Sequence, residues 1–197
     1  MWTAKGGGMD RPVYVVLAAG ASRRMGFDKA VTPLQGRSPL ERVLAALEER
    51  DCVVVVPSRL AEAVTTLAPA VRLAINDEPE RGMTRSLSLG LESVPRDRDF
   101  GVLPADMPVM SAATIAATEV MLQNGADVAY PVDADGVPGH PVLFAARTRP
   151  IVEALPQGDT LRYARDAPEL RRATWVCADL SAFLDVDDPA DWARDLP

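Results

Sequence analysis

The chain has 197 residues, 28 of them acidic and 21 basic, for a formal net charge of −7. That balance excludes a protein that grips nucleic acid or an anionic membrane through a broad basic surface, and 48% hydrophobic residues exclude a disordered chain. The basic residues are 19 arginines and two lysines, Lys5 and Lys29, with His140 the single histidine, so chemistry needing an ammonium or an imidazole has almost no choice of residue.

The length fits one domain with a continuous core. No apolar run approaches the roughly 20 residues that span a bilayer, and the N-terminus lacks the pattern of a secretory signal, so the cytoplasm is the expected compartment. Residues 1–8, Met1-Trp-Thr-Ala-Lys-Gly-Gly-Gly8, read as leader or appended residues before a second methionine, Met9, which leaves 9–197 as the domain and Lys29 as its one lysine. Cys52 and Cys177 sit in separate apolar runs and read as buried, reduced thiols. One histidine and no cysteine cluster cannot assemble a tetrahedral zinc site, so a hard ion held by carboxylates, Mg²⁺, is the metal to consider. A Ser-His-Asp triad would need His140, and no G-x-S-x-G elbow occurs.

In chain order, β-branched apolar runs alternate with helical patterns, as in strands buried on both faces of a mostly parallel sheet, so the fold class is α/β. Strands are expected at Val13–Leu17, Cys52–Val56, Val71–Ile75, Phe100–Leu103, Val128–Val132, Val142–Ala145 and Ala173–Ala178, with a further segment at Phe183–Val186. Helices are expected over 38–50, 58–67, 84–94 and 111–122, with short ones in 147–166 and a capped turn at 187–194. Ser38, Pro39 and Glu41 spell an N-cap, a first-turn proline and a capping box.

The most unusual connection follows the first strand: Leu17-Ala-Ala-Gly-Ala-Ser-Arg-Arg-Met-Gly-Phe-Asp-Lys29. Gly20 and Gly26 permit positive φ and the small residues let the main chain approach a ligand, so successive N–H groups can cradle a phosphate. A Walker A loop fails because Phe27 and Asp28 follow Gly26, and a dinucleotide fingerprint fails because the loop reads Gly-Ala-Ser and the second strand ends in Pro57-Ser58. A surface turn with solvated arginines is the competing explanation.

Leu-Ala-Ala-Gly-x-Ser-x-Arg-Met-Gly-x-x-Lys, from Leu17 to Lys29, resembles the signature of MobA-like nucleotidyltransferases, and its Ala-Ala-Gly form resembles that of molybdenum cofactor cytidylyltransferases. The resemblance implies a single-domain, three-layer, Rossmann-like fold. It implies that Arg24 and Lys29 hold NTP phosphates while Leu17, Ala18, Ala19, Gly20 and Ser22 lie near base and phosphates. Asn76-Asp-Glu-Pro-Glu-Arg-Gly-Met-Thr-Arg-Ser86 is similar to the family segment facing the nucleobase and points to Gly82 and Ser86; for Ser86 an ordinary helix cap is the alternative. Leu103-Pro-Ala-Asp-Met-Pro108 resembles the segment whose aspartate, here Asp106, binds Mg²⁺; a cap for the helix starting near Ser111 is the alternative. Asp187, in Leu184-Asp-Val-Asp-Asp-Pro-Ala-Asp191, matches the second metal-facing position, with capping of the last helix as the competing role. Pro138-Gly-His-Pro141 resembles the Gly-His-Pro lining the acceptor side, so His140 is the expected acceptor contact, presenting a donor to a phosphate.

The chain departs from the pattern at Gly158-Asp-Thr-Leu-Arg162, one residue short and without a second glycine, at Ala105 where a glycine is usual, and at Asp188 in place of a threonine. The resemblance implies Mg²⁺-dependent transfer of a nucleoside monophosphate, CMP from CTP favoured, to a phosphorylated acceptor such as molybdopterin, with catalysis carried by Arg24, Lys29 and Asp106. A molybdoenzyme or chaperone is the implied protein partner. The alternatives are an NAD(P)H-dependent reductase of the nicotine blue oxidoreductase type and a module that binds a cofactor without turnover.

Overall fold

The computed structural model describes residues 11–20 and 26–186. Seven strands form one sheet: β1 (Val13–Leu17), β2 (Cys52–Val56), β3 (Arg72–Ile75), β4 (Phe100–Pro104), β5 (Val128–Val132), β6 (Val142–Phe144) and β7 (Arg172–Val176). Their spatial order is β3-β2-β1-β4-β6-β5-β7, with every neighbouring pair parallel except those made by β6.

The period-2 geometry of a strand explains why β1 and β2 are apolar throughout. Tyr14, Val16, Val54 and Val56 point into a core shared with α1 (Pro39–Leu47), α2 (Ser58–Leu67) and α4 (Ala112–Gln123). Val13, Val15, Val53 and Val55 point into the opposite core, shared with α3 (Met83–Glu92), α5 (Arg149–Glu153) and α6 (Leu161–Arg165). Three layers result. Helix α3 crosses close to the sheet because Gly90 has no side chain: a Cβ there would stand 2.4 Å from Val15 Cγ1. No helix among the described residues is long and apolar enough to cross a membrane.

The Ser38 capping box is present, with the Ser38 side chain accepting from Glu41 N–H and the Glu41 carboxylate accepting from Ser38 N–H. Two expectations change. Residues 183–186 form no strand; the segment follows a 3₁₀ turn at Leu180–Ala182, and Val186 donates its N–H to the Asp106 carbonyl at 3.0 Å. The strand expected at Ala173–Ala178 runs Arg172–Val176, and its side chains alternate between half-buried and exposed because it is the sheet edge. Residues 1–8, Ser22, Arg24, Asp187 and the expected turn at 187–194 lie outside the described residues.

The order reverses at β1: the chain steps outward through β2 and β3, then returns to place β4 on the other side of β1. Leu17 and Pro104 end these two strands side by side, and a crevice opens beyond such a switch point because the loops leaving it turn apart. At the opposite end of the sheet a buried polar cluster fixes the same elements. Glu119 of α4 accepts from the Tyr14 hydroxyl at 2.8 Å and from Arg50 Nε and Nη2 at 2.8 and 3.0 Å. Burial and the Glu119 carboxylate push the Tyr14 phenol well above its ordinary range. Arg50→Met leaves Glu119 buried and under-compensated, and is expected to lower unfolding free energy in urea by about 3 kcal/mol or more; adding Glu119→Gln, which still accepts from Tyr14, recovers part of the loss.

Asp127, before β5, accepts from the Arg171 side chain and N–H and from Arg147, and Arg171 above all holds its carboxyl down at about 2. A carboxyl lowered on folding contributes stability above its unfolded value of 3.8 and loses it as pH falls through about 2. Asp127→Asn is therefore expected to be less stable than wild type at pH 7, the two converging below pH 3.8 in a denaturation series.

Candidate functional site

The crevice beyond β1 and β4 is lined by Leu17, Ala18, Gly20, Asp28, Lys29, Ala30, Leu60, Ala105 and Asp106. The strand ends position its floor: Ala18 N–H donates to Val55 O at 2.9 Å and Ala105 N–H to Leu17 O at 3.0 Å. Small side chains at 18, 20 and 105 keep bulk out of the crevice. Gly26 takes φ +71°, whereas Gly20 lies outside the left-handed region, and a Cβ on Gly20 would meet nothing within 4 Å. The missing side chain at Gly20 serves to keep the cleft wall open rather than to relieve the backbone.

Lys29 is delivered by a tight turn. The Asp28 carbonyl accepts from Val31 N–H, Thr32 N–H and the Thr32 hydroxyl, and the Asp28 carboxylate accepts from Arg59 Nη1 of α2 at 2.5 Å. From that turn Lys29 reaches across the crevice, its Nζ 2.6 Å from Asp106 Oδ2 and donating to the Val186 carbonyl at 3.1 Å. The side chains of Lys29 and Asp106 are 14% and 23% exposed, sheltered enough for their charges to matter and open enough to meet a ligand. Asp106 does not cap the next helix; Ser111 does, accepting from Thr114 N–H at 3.1 Å.

His140 lies at the same edge because β6 runs antiparallel: Val142 pairs with Val102, so the residues before β6 stand beside the end of β4. Its N–H donates to Ala182 O at 2.8 Å, and Gly139 is pressed against the same turn, where a Cβ would meet Ala182 O at 2.6 Å. The His140 Nδ1 is buried without a hydrogen-bond partner, and burial pushes the imidazole down to about 4 against the opposing pull of Asp106. At neutral pH the ring carries no charge, and its Nδ1 stands as a buried nitrogen without a hydrogen-bond partner.

Gly82 and Ser86 belong to the start of α3 and are not in the lining of this cleft. Gly82 is the N-cap with φ +91°, and a Cβ there would stand 3.1 Å from the Gly158 Cα, so the shortened loop packs directly on this helix end. Gly158 N–H also donates to the Thr84 hydroxyl at 3.3 Å. Ser86 is one turn into the helix, not at its cap, buried and accepting from Asn76 Nδ2 at 2.8 Å, while Asn76 Oδ1 accepts from Glu78 N–H. Ala19 is buried in the core on the α3 side. The structure thus brings Leu17, Ala18, Gly20, Lys29 and Asp106 into one cleft.

Sequence reasoning missed Asn76, Asp28, Arg59 and the Val186 carbonyl. An asparagine closing an apolar strand is a signal for a buried polar bond, which would have found Asn76. Arg59 and Val186 carry no local signal, since their partners lie 31 and 157 residues away.

Cys52 and Cys177 are free thiols, and burial raises Cys52 to about 11, so Cys52 is not a reactive thiolate. Among the described residues no group of three or more His, Cys, Asp or Glu could hold a metal ion. Asp106 is a hard oxygen donor at a cleft lined by small residues. One such carboxylate suits a magnesium ion that keeps waters and substrate phosphates in its shell, and does not suit an all-protein metal cage.

Comparison with known proteins agrees with this geometry. Residues 14–173 match the MobA-like NTP transferase domain. A molybdenum cofactor guanylyltransferase of Xanthomonas euvesicatoria is 27% identical over 184 residues, which is 91% of this chain and 92% of that protein. A probable molybdenum cofactor guanylyltransferase of Haloferax mediterranei is 32% identical over 130 residues, 63% of this chain and 61% of that protein. Among solved structures, Rv0371c of Mycobacterium tuberculosis superposes with a TM-score of 0.77 at 22% identity, covering 94% of this chain and 96% of that one. Molybdopterin-guanine dinucleotide biosynthesis protein A of Archaeoglobus fulgidus superposes with a TM-score of 0.68 at 16% identity, covering 92% and 95%; at these identities the likeness is one of fold. A match over most of the chain, on a three-layer fold with a small-residue cleft at its switch point, makes this protein a member of the MobA-like NTP transferase domain family, a nucleotidyltransferase by class.

Proposed function

We propose that the protein transfers a nucleoside monophosphate from an NTP to a small phosphorylated acceptor, releasing pyrophosphate. The observation that carries the reading is the convergence of the domain's one lysine and a strand-end carboxylate in a cleft walled by small residues, within a MobA-like domain. An acceptor phosphate oxygen forms its bond to the α-phosphorus in line as the bond to the bridging oxygen of the β-phosphate breaks. The nucleophile is already an anion, so no base is required, in keeping with a histidine that burial holds neutral.

Positioning and charge neutralisation then account for catalysis. Lys29 compensates charge growing toward pyrophosphate, joined by Arg24 and Ser22, and main-chain groups from Leu17 to Gly20 line the path of the nucleotide. Gly82, Ser86 and Ala19 support the base side of the site, the first two through the start of α3. Asp106 and Asp187 would hold Mg²⁺, which when bound draws charge from the phosphate oxygens. His140 faces the acceptor, its neutral ring offering hydrogen bonding without charge.

Molybdopterin is the acceptor we favour, since both curated relatives are named for molybdenum cofactor nucleotidylation. The Ala18-Ala19-Gly20 step, similar to that of cytidylyltransferases, favours CTP, whereas the relatives' name of guanylyltransferase favours GTP as the second reading. Pyrophosphate release measured with each NTP, Mg²⁺ and molybdopterin separates them: the first reading expects turnover with CTP, the second with GTP. No release with any NTP, or NADPH oxidation in its place, would overturn the proposal. Lys29→Ala and Asp106→Ala are expected to lower release by about a hundredfold or more with circular dichroism unchanged; turnover like wild type in either would remove that residue from the site.

A further inference from the structure

We infer that Lys29 and Asp106 form a latch that makes binding of the divalent ion and binding of the NTP depend on each other; this rests on the nucleotidyl-transfer reading. The two side chains meet at 2.6 Å, Lys29 holding the Oδ2 atom of Asp106 and, with the same ammonium, the Val186 carbonyl. A dication approaching Asp106 alone meets a positive charge already seated on its carboxylate. A triphosphate approaching alone must draw Lys29 away and leave Asp106 bare beside its own negative charge. Either ligand by itself therefore works against the pair.

Together they exchange partners. Lys29 moves to the phosphates, Asp106 is freed for the ion, and each new contact compensates the one it replaces. The backbone bond from Val186 N–H to the Asp106 carbonyl does not involve the ammonium, so Val186 stays tied to Asp106 through the exchange. Linkage requires the coupling to be reciprocal, the ion tightening nucleotide by the factor by which nucleotide tightens the ion.

The test uses Mn²⁺ as the probe, counted as free aqueous ion by electron paramagnetic resonance, with and without the α,β-methylene analogues of CTP and GTP. Wild type is expected to bind Mn²⁺ weakly alone and at least about fivefold more tightly with analogue present, the analogue gaining equally from Mn²⁺. Lys29→Gln, checked for an unchanged melting profile, is expected to bind bare Mn²⁺ more tightly than wild type and to lose most of the enhancement by analogue. Lys29→Arg, which keeps the charge and guards against a folding artefact, is expected to bind bare Mn²⁺ as weakly as wild type. Bare Mn²⁺ binding no tighter in Lys29→Gln than in wild type would overturn the latch, and that arm contains no nucleotide. If wild type binds neither analogue and releases no pyrophosphate, the functional reading falls and the latch with it; if it releases pyrophosphate while Lys29→Gln leaves Mn²⁺ binding unchanged, the latch alone falls.

Discussion

The Lys29–Asp106 ion pair depends on the point at which the sheet changes direction, and much of the molecule serves to hold that point still. Lys29, from the loop after β1, and Asp106, just past β4, meet at 2.6 Å only because β4 is inserted beside β1 after the chain has already laid down β2 and β3. Were β4 added beyond β3, Asp106 would lie three strand spacings from the loop that carries Lys29, about 14 Å away. Topology, not local sequence, makes the two residues neighbours. The Tyr14–Glu119–Arg50 cluster fixes β1 against α4 and the end of α1 at the far edge, so the crevice edge is supported by buried bonds that never touch it.

Electrostatics explains why the cleft is built from so few charged groups. A chain carrying −7 overall repels polyphosphates at long range, a repulsion that salt screens beyond about 8 Å, so attraction must be supplied at close quarters. Lys29 supplies it from a turn braced by Asp28, Thr32 and Arg59. The bracing matters because a lysine on a free loop would lose about 2 kcal/mol of rotamer entropy on engaging a phosphate. His140, by contrast, is kept neutral by burial and adds hydrogen-bonding capacity without charge.

The strands of the central sheet were legible because their signal is local: runs such as Val53–Val56 can be buried on both faces only in a parallel sheet covered on each side. Ser38 announced its helix for the same reason, since the capping box is complete within four residues. The parallel-to-antiparallel switch at β6 was not legible, because a three-residue strand carries no directional pattern. In the site, Leu17, Ala18, Gly20, Lys29 and Asp106 were named from the resemblance to a family signature on an unusual loop and a strand end, and they line one cleft. Ser86 was read as facing the nucleobase, with a helix cap as the alternative; its burial under Asn76 depends on where β3 ends relative to α3, a tertiary fact. Gly82 was read as room for a base, and the structure shows that the room on its Cβ side is taken by Gly158, 76 residues later.

The central claim is that Lys29 and Asp106 act as one unit on the phosphates of a nucleotide. A double-mutant cycle on pyrophosphate release, with Lys29→Gln, Asp106→Asn and the pair combined, tests it most directly. Groups that work as a unit are non-additive, so the double variant is expected to lose little more than either single variant. Losses that multiply, each substitution costing the same in the presence or absence of the other, would contradict the account.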